Sequence, residues 1–284
     1  MIYVLVNPKA NNGCGEKDAR EQVANLEGEK TFVSVLEIKN LPDFLKGLKS
    51  DDEVILTGGD GTLNHFANDL GDYVPTNKIY YVKSGSGNDF HRDCKHDCDD
   101  KGRILLNRYL KDLPVITVNG LKRRFINGIG YGLDGETCRI GDLQRVESDK
   151  PVNYSNIAVK LLLGKYDLKH ATITVDGKTA EYDYVWLAST MIGRFYGGGL
   201  MVAPSQDRFN KERTVSVVCI HKKNRLVTLL RFPSLSKGEH IKKHDWCHIV
   251  EGKKVEVKFD KPCALQIDGE VVENVLSYSV EFSK

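Results

Sequence analysis

What the sequence lacks narrows it first. It has no apolar run approaching the ~20 residues that a membrane-spanning helix requires. The apolar start, residues 1–6, is stopped by Asn7-Pro8, too short and without the basic flank of a secretory leader. Charge of one sign is missing as well: 41 Lys and Arg against 39 Asp and Glu leave a net of +2, which argues against a nucleic-acid partner. The seven cysteines (Cys14, Cys94, Cys98, Cys138, Cys219, Cys247 and Cys263) are odd in number and irregularly spaced. That argues against a disulfide framework and for a reducing, cytoplasmic setting. There is no internal repeat, no low-complexity linker, no GxxxxGK[ST] and no GxGxxG after the first predicted strand. Repeat architectures, P-loop proteins and the dinucleotide fingerprint are thereby set aside.

What is present is a chain of 284 residues, 40% apolar, enough to fill one large domain or two ordinary ones. In the first third, short apolar runs alternate with helical stripes. Residues 2–6, 31–38, 53–57 and 79–82 read as strands. Residues 16–27, the stripe Leu41, Phe44, Leu45 and Leu48, the stripe Leu63, Phe66, Ala67 and Leu70, and residues 101–111 read as helices. This alternation predicts a parallel sheet covered on both faces. Beyond residue 114 the pattern changes to strands at 115–118, 125–129, 171–175, 179–189, 214–220, 254–259, 263–267 and 275–282. Helices are expected at 154–166 and near 224–232, and Asp176-Gly177 marks a hairpin. The shift between Leu113 and Asn119 predicts two domains, residues 1–116 and 117–284, the first α/β and the second β-rich and antiparallel.

Three glycine-bearing loops follow strands of the first domain. Gly58-Gly59-Asp60-Gly61-Thr62, after Thr57, opens a helix. Small residues there let backbone N–H groups approach a phosphate. A carboxylate at such a site needs a cation or a proton beside it, so Asp60 either holds Mg2+ or helps deprotonate an attacking hydroxyl. A tight turn is the plainer alternative. Asn7-Pro8, with Gly13, Gly15 and Lys17, follows the first strand. Gly85-Ser86-Gly87-Asn88-Asp89 follows the fourth. Each of these two loops is weak alone, but parallel α/β sheets gather ligands at the carboxyl ends of their strands, so the three predict one nucleotide triphosphate site.

With these residues in order, the chain resembles the diacylglycerol kinase catalytic-domain family, which includes soluble bacterial lipid kinases and sphingosine kinases. Asn7-Pro8 resembles the family's opening motif, GGDGT with Leu63-Asn64 its signature, and Ser84 to Phe90 its GTxNDF segment. Phe125-Ile126-Asn127 through Gly132-Leu133-Asp134 resembles FxN…G[FL]D, Gly197-Gly198-Gly199 through Ala203-Pro204 resembles GGG…AP, and Gln266 to Glu270 resembles the late DGE. The resemblance implies an N-terminal Rossmann-like parallel α/β domain, then an antiparallel β-sandwich domain, with the active site in the cleft between them. It further implies ATP and Mg2+ as requirements and a lipid alcohol, diacylglycerol-like or other, as acceptor. Nucleotide contacts are expected from Asn7, Pro8, Gly13, Gly15, Lys17, Thr57, Gly58, Gly59, Asp60, Gly61, Thr62, Asn64, Gly85, Ser86, Asn88 and Asp89. Catalytic roles are expected from Asp60, Glu270 as general base, and Asp134 as the group that orients the acceptor.

Two positions depart from the family pattern. His65 stands where Glu is usual, and Ser205 to Asn210 lacks the Asp-Asp-Gly associated with a structural metal, leaving Asp207 to substitute for it. The rival readings are an NAD kinase-like enzyme, which shares GGDGT, and a non-catalytic nucleotide-binding relative. His91, Cys94, His96 and Cys98 lie close together, as a zinc site or a polar loop. Lys222, Lys223, Arg225 and Arg231 flank Leu226, Val227, Leu229, Leu230 and Phe232. They form either a helix packed on the β-domain or one making transient contact with the inner membrane face. The sequence leaves a homodimer open and does not name the acceptor.

Overall fold

The computed structural model describes residues 1–85, 87–148, 152–164 and 166–282, the side chains of Asn11 and Asn12 excepted. The chain divides into two compact units, Met1–Leu113 and Pro114–Lys284.

The first unit runs β1 (Ile2–Val6), α1 (Ala10–Gly13), α2 (Gly15–Gln22), β2 (Lys30–Ser34), α3 (Leu41–Lys46), β3 (Glu53–Gly58), α4 (Asp60–Leu70), β4 (Lys78–Lys83), α5 (Asp89–Asp93) and β5 (Ile104–Leu105). Its sheet has the order β2-β1-β3-β4-β5, with β1 to β4 parallel and β5 antiparallel at the edge. Val4, Leu5 and Val6, like Val54, Ile55 and Leu56, are all buried. Uninterrupted burial of this kind is what a parallel strand covered on both faces requires. On one face Val4, Val6 and Ile55 meet Ala19, Val23 and Leu26. Leu63, Phe66, Ala67 and Leu70 form the buried stripe of α4. The expected helix over 101–111 is not formed. Leu106 N–H donates to Ile79 O, the Asn107 carboxamide accepts from Ile79 N–H at 2.9 Å and donates to Asn77 O at 2.9 Å. The segment seals the open edge of β4, and the apolar residues Ile104, Leu106 and Tyr109 are buried by that edge pairing rather than by a helical stripe.

The second unit runs β6 (Pro114–Val118), β7 (Leu121–Arg124), β8 (Gly128–Gly132), α6 (Leu133–Glu147), α7 (Tyr154–Leu163), β9 (Lys169–Val175), β10 (Lys178–Met191), β11 (Val215–His221), α8 (Arg225–Arg231), β12 (Cys247–Gly252), β13 (Lys254–Ile267) and β14 (Glu270–Phe282). All its strand pairings are antiparallel. The 14-residue strands β10 and β13 do the turning. Their early halves pair with β9 and their late halves with β8, with register shifts at 182–187 and 258–265. Such irregularities let one strand bend between two layers. Tyr131 stacks on Phe259 with ring centroids 3.9 Å apart and meets Tyr278 edge-on in the core so enclosed. A second apolar cluster, with Trp186, Trp246, Leu133 and Leu162, seats the helices on the sheet.

The sequence pattern does not predict α6. Asp134-Gly135 resembles a turn, yet the two residues lie in the first turn of this 15-residue helix, where Gly135 is needed because a β-carbon would overlap Ala264 of β13. The runs expected at 254–259 and 263–267 are one strand, and β12 is a further strand the pattern does not predict.

Candidate active site

The carboxyl ends of β1, β3 and β4 are neighbours in the sheet, and the three glycine loops leave from them. Hydrogen bonds tie the loops together. Ser84 N–H donates to Gly58 O at 2.8 Å, and Ser84 Oγ to Asp18 Oδ2 of α2 at 3.0 Å. Tyr81 Oη donates to Gly58 O at 2.9 Å. Asn88, left-handed at φ 53°, donates its amide to Gly85 O at 2.6 Å. Phe90 anchors the last loop, edge-on to both Tyr81 and Tyr109.

Asp60 is the main brace. Its Oδ2 accepts from Asp89 N–H at 2.8 Å and its Oδ1 from Phe90 N–H at 2.9 Å, so the GGDGT carboxylate caps α5.

The glycines separate into two kinds. A β-carbon at Gly58 would overlap Thr62, and one at Gly15 would overlap the Asn7 carbonyl. Both are close-packing positions. Among the described residues, a β-carbon at Gly59 would meet only Ser84 O, at 3.4 Å, and one at Gly61 would meet nothing within 4 Å. Those two face open space at the N-terminus of α4, an 11-residue helix whose first N–H groups point outward.

Other expected nucleotide contacts have different positions. Thr57 is buried with its hydroxyl donating to Leu5 O at 3.1 Å, so its side chain pins β3 to β1. Asn64 is buried in α4 and accepts the Asn68 amide. Thr62 is buried against Gly58. Lys17 is exposed and 4.0 Å from Glu21. Asn7 Oδ1 accepts from Lys9 N–H at 3.1 Å across a turn that includes Pro8, and Gly13 ends α1 with φ 85°. Gly85 turns with φ 87°, and Asp89 is buried at the start of α5. Ser86 lies outside the described residues. A groove of about 460 Å3 lies beside the loops, lined among others by Asn7, Lys9, Leu36, Asn40, Thr62 and His65. The loop after β1, the segment from the turn after β2 into α3, and α4 build it, so the motifs supply Asn7 and Thr62 while the rest of its lining lies outside them.

In the second unit, Asp134 sits in the first turn of α6 with Oδ2 accepting from Gln266 Nε2 at 2.8 Å. Its carboxylate is lodged over Gly130, where any β-carbon would collide with it. Burial pushes its carboxyl up to about 6, opposed by the Gln266 hydrogen bond, although the residue keeps a partly accessible edge. Gln266 Oε1 in turn accepts from Gly269 N–H at 2.6 Å, so this buried side chain couples Asp134 to the DGE hairpin. The late DGE segment includes Gln266 without a role, since an uncharged amide does not mark itself as a functional group; the bridge it makes is visible only in the fold. Asp268 accepts from the N–H groups of Ile126, Asn127 and Gly128 at 2.6 to 3.0 Å, clamping the FIN segment to the hairpin. Glu270, the first residue of β14, is half-exposed and ion-paired with Arg123 of β7.

The two metal expectations outside Asp60 have little support. Asp207 is exposed, and its Oδ1 accepts from Phe209 N–H at 2.9 Å. The segment around it is held by amides: Gln206 donates to Met191 O and Thr214 O, and Asn210 binds Thr214 in both directions. One engaged carboxylate does not fit a structural metal. The cluster His91, Cys94, His96 and Cys98 does not converge either. Cys94 is buried, His96 faces Asp97, and only His91 and Cys98 approach, at 3.6 Å. Among the described residues no group of three or more His, Cys, Asp or Glu is placed to hold a metal ion.

A parallel α/β unit with braced glycine loops, followed by an antiparallel β-rich unit, defines a kinase class that the comparisons specify. Residues 1–118 match the diacylglycerol kinase catalytic domain, and residues 127–280 match the YegS C-terminal NAD kinase beta sandwich-like domain. The chain belongs to the diacylglycerol kinase catalytic-domain family of lipid kinases. It is 26% identical over 243 residues to "Putative lipid kinase YtlR" of Bacillus subtilis (strain 168), covering 77% of this chain and 74% of that one. It is 23% identical over 252 residues to a diacylglycerol kinase of Mycobacterium tuberculosis, covering 84% and 79%. In fold it is similar to the crystal structure of "a putative diacylglycerol kinase" from Bacillus anthracis str. Sterne, with a TM-score of 0.68 at 16% identity over 100% of this chain and 92% of that one.

Proposed function

We propose that the protein transfers the γ-phosphoryl group of ATP to the hydroxyl of a diacylglycerol-like or other lipid. The observation that carries this reading is the open space at Gly59 and Gly61, where the N-terminus of α4 offers backbone N–H groups and no side chain of the described residues intrudes. An anion fits there with no protein group to displace. The groove lined by Lys9, Leu36 and His65 borders the same loops and suits the nucleoside.

Phosphoryl transfer asks the protein for alignment and charge neutralisation more than covalent chemistry. The braced loops hold the phosphates still. Asp60 would hold a Mg2+, a cation that in nucleotide sites needs only one or two protein carboxylates. When bound, Mg2+ neutralises phosphate charge. Asp60 keeps both oxygens fixed by α5 and so presents its charge at a constant position. The acceptor oxygen bonds to the γ-phosphorus as the bond to ADP breaks. Glu270 takes the hydroxyl proton, and Asp134 orients the hydroxyl. The products are the phosphorylated lipid and ADP.

Radiolabelled ATP incubated with the protein and a lipid extract tests the reading. Label in the organic phase supports it. Label on NAD instead points to an NAD kinase, and no transfer by a protein that binds ATP points to a non-catalytic relative.

A further inference from the structure

Helices α7 and α8 carry apolar side chains on their outer as well as their inner faces. In α7, Ile157, Ala158 and Leu162 are buried, whereas Val159 and Leu163 are 39% and 65% exposed. In α8, Thr228 is buried and Leu229 leans on the core, whereas Leu226 and Leu230 are 63% and 73% exposed. Each outward pair is spaced i, i+4 and forms one stripe. The helices are joined: Arg225 of α8 donates to Leu162 O and to Tyr166 O at the C-terminal end of α7. Leu163 and Leu226 adjoin the two ends of that joint.

The same surface is basic. Neither helix contains an acidic residue, and the run 221–232 has none. Lys160 and Lys223 are exposed. Lys222 and Arg231 share one carboxylate, Asp245, so one positive charge remains there. Apolar stripes within a basic field are the composition that seats helices at an anionic bilayer surface, leucines among the acyl chains and lysines among the headgroups.

We infer that α7 and α8 together form the face by which the protein docks on an anionic lipid bilayer. This rests on the reading of the acceptor as a lipid, because a kinase acting on a bilayer component must meet that bilayer. A second copy of the chain is the competing occupant. A two-fold contact would set the same basic patch against itself, which is repulsive. Among the described residues no helix is long and apolar enough to cross a membrane, consistent with contact through a face.

Flotation with vesicles tests the inference, without ATP or diacylglycerol. The protein should float with vesicles of phosphatidylcholine and phosphatidylglycerol and far less with phosphatidylcholine alone. Leu226→Glu with Leu230→Glu should lower binding at least tenfold. Both side chains are exposed, so the fold should survive, and circular dichroism checks it. Lys160→Gln and Lys223→Gln should each lower binding by about fivefold at low salt. Unchanged flotation of the double variant, or no flotation of the parent protein, overturns the inference. So does a dimer in sedimentation that the double variant dissolves. Transfer to a short-chain diacylglycerol in detergent micelles should be the same for parent and double variant. If transfer is absent from both while flotation behaves as stated, the lipid kinase reading fails and the docking face stands.

Discussion

At the scale of single residues, adjacent glycines have opposite jobs. Gly58→Val should destabilise the protein by about 1–3 kcal/mol, the usual cost of forcing bulk into a filled site, because its side chain overlaps Thr62. Gly59→Val should fold normally and lose ATP binding, because its side chain enters open space instead of protein. Urea denaturation and nucleotide titration of the two variants separate these outcomes, and a folded Gly59→Val protein with unchanged ATP affinity contradicts the phosphate assignment. Asp134 makes a pH prediction. Its carboxyl is raised to about 6, so between the ordinary carboxyl range near 3.8 and 6 the folded state holds a proton that the unfolded state has released. Stability must therefore fall as pH rises across that window. Asp134→Asn should remove the slope and stabilise the protein at neutral pH by on the order of 1–2 kcal/mol, less than the full shift implies because part of the group meets water. Activity should rise with pH through about 6 in the parent and lose that limb in Asp134→Asn.

At the scale of elements, α5 depends on a residue 29 positions upstream. Asp60→Asn must present its amide N–H2 to one of two backbone N–H donors. Losing a charge-assisted bond there should cost roughly 1.5–3 kcal/mol and loosen residues 89–93 before the rest of the unit. Amide exchange reads this directly, with faster exchange at Asp89 and Phe90 while β1 stays protected. Elements of this unit were legible wherever burial follows a simple period: β1, β3, α3 and α4 lie within a few residues of expectation. Residues 101–111 differ from expectation because Leu106, Tyr109, Leu110 and Leu113 fall at i, i+3, i+4 and i+7, a helical spacing, although the segment is buried as an irregular sheet edge. Helix α6 was hidden because Asp134-Gly135 reads locally as a turn, and only contact with Ala264, far along the chain, explains the glycine. The two true Asp-Gly hairpins, at 176 and 268, have both residues at positive φ, the conformation that pair favours.

At the scale of the whole molecule, the ordered motifs identified the family, because six short segments in sequence are far more specific than any one of them. They did not find the groove beside the glycine loops, the Gln266 bridge or the Arg123 partner of Glu270, each assembled from residues distant in sequence. Of the expected nucleotide contacts, Thr57 and Asn64 are buried, the Thr57 hydroxyl donating to Leu5 O and the Asn64 side chain accepting from Asn68. The central claim is that this protein phosphorylates a lipid hydroxyl with Glu270 as proton acceptor. The direct measurement uses γ-labelled ATP, Mg2+ and dispersed diacylglycerol with the parent protein and Glu270→Gln. The account predicts label in the organic phase for the parent, and a maximal rate about 10²–10⁴-fold lower for the variant with unchanged ATP affinity. Label that never leaves the aqueous phase with folded, ATP-bound parent protein, or a variant that turns over at the parent rate, would contradict it.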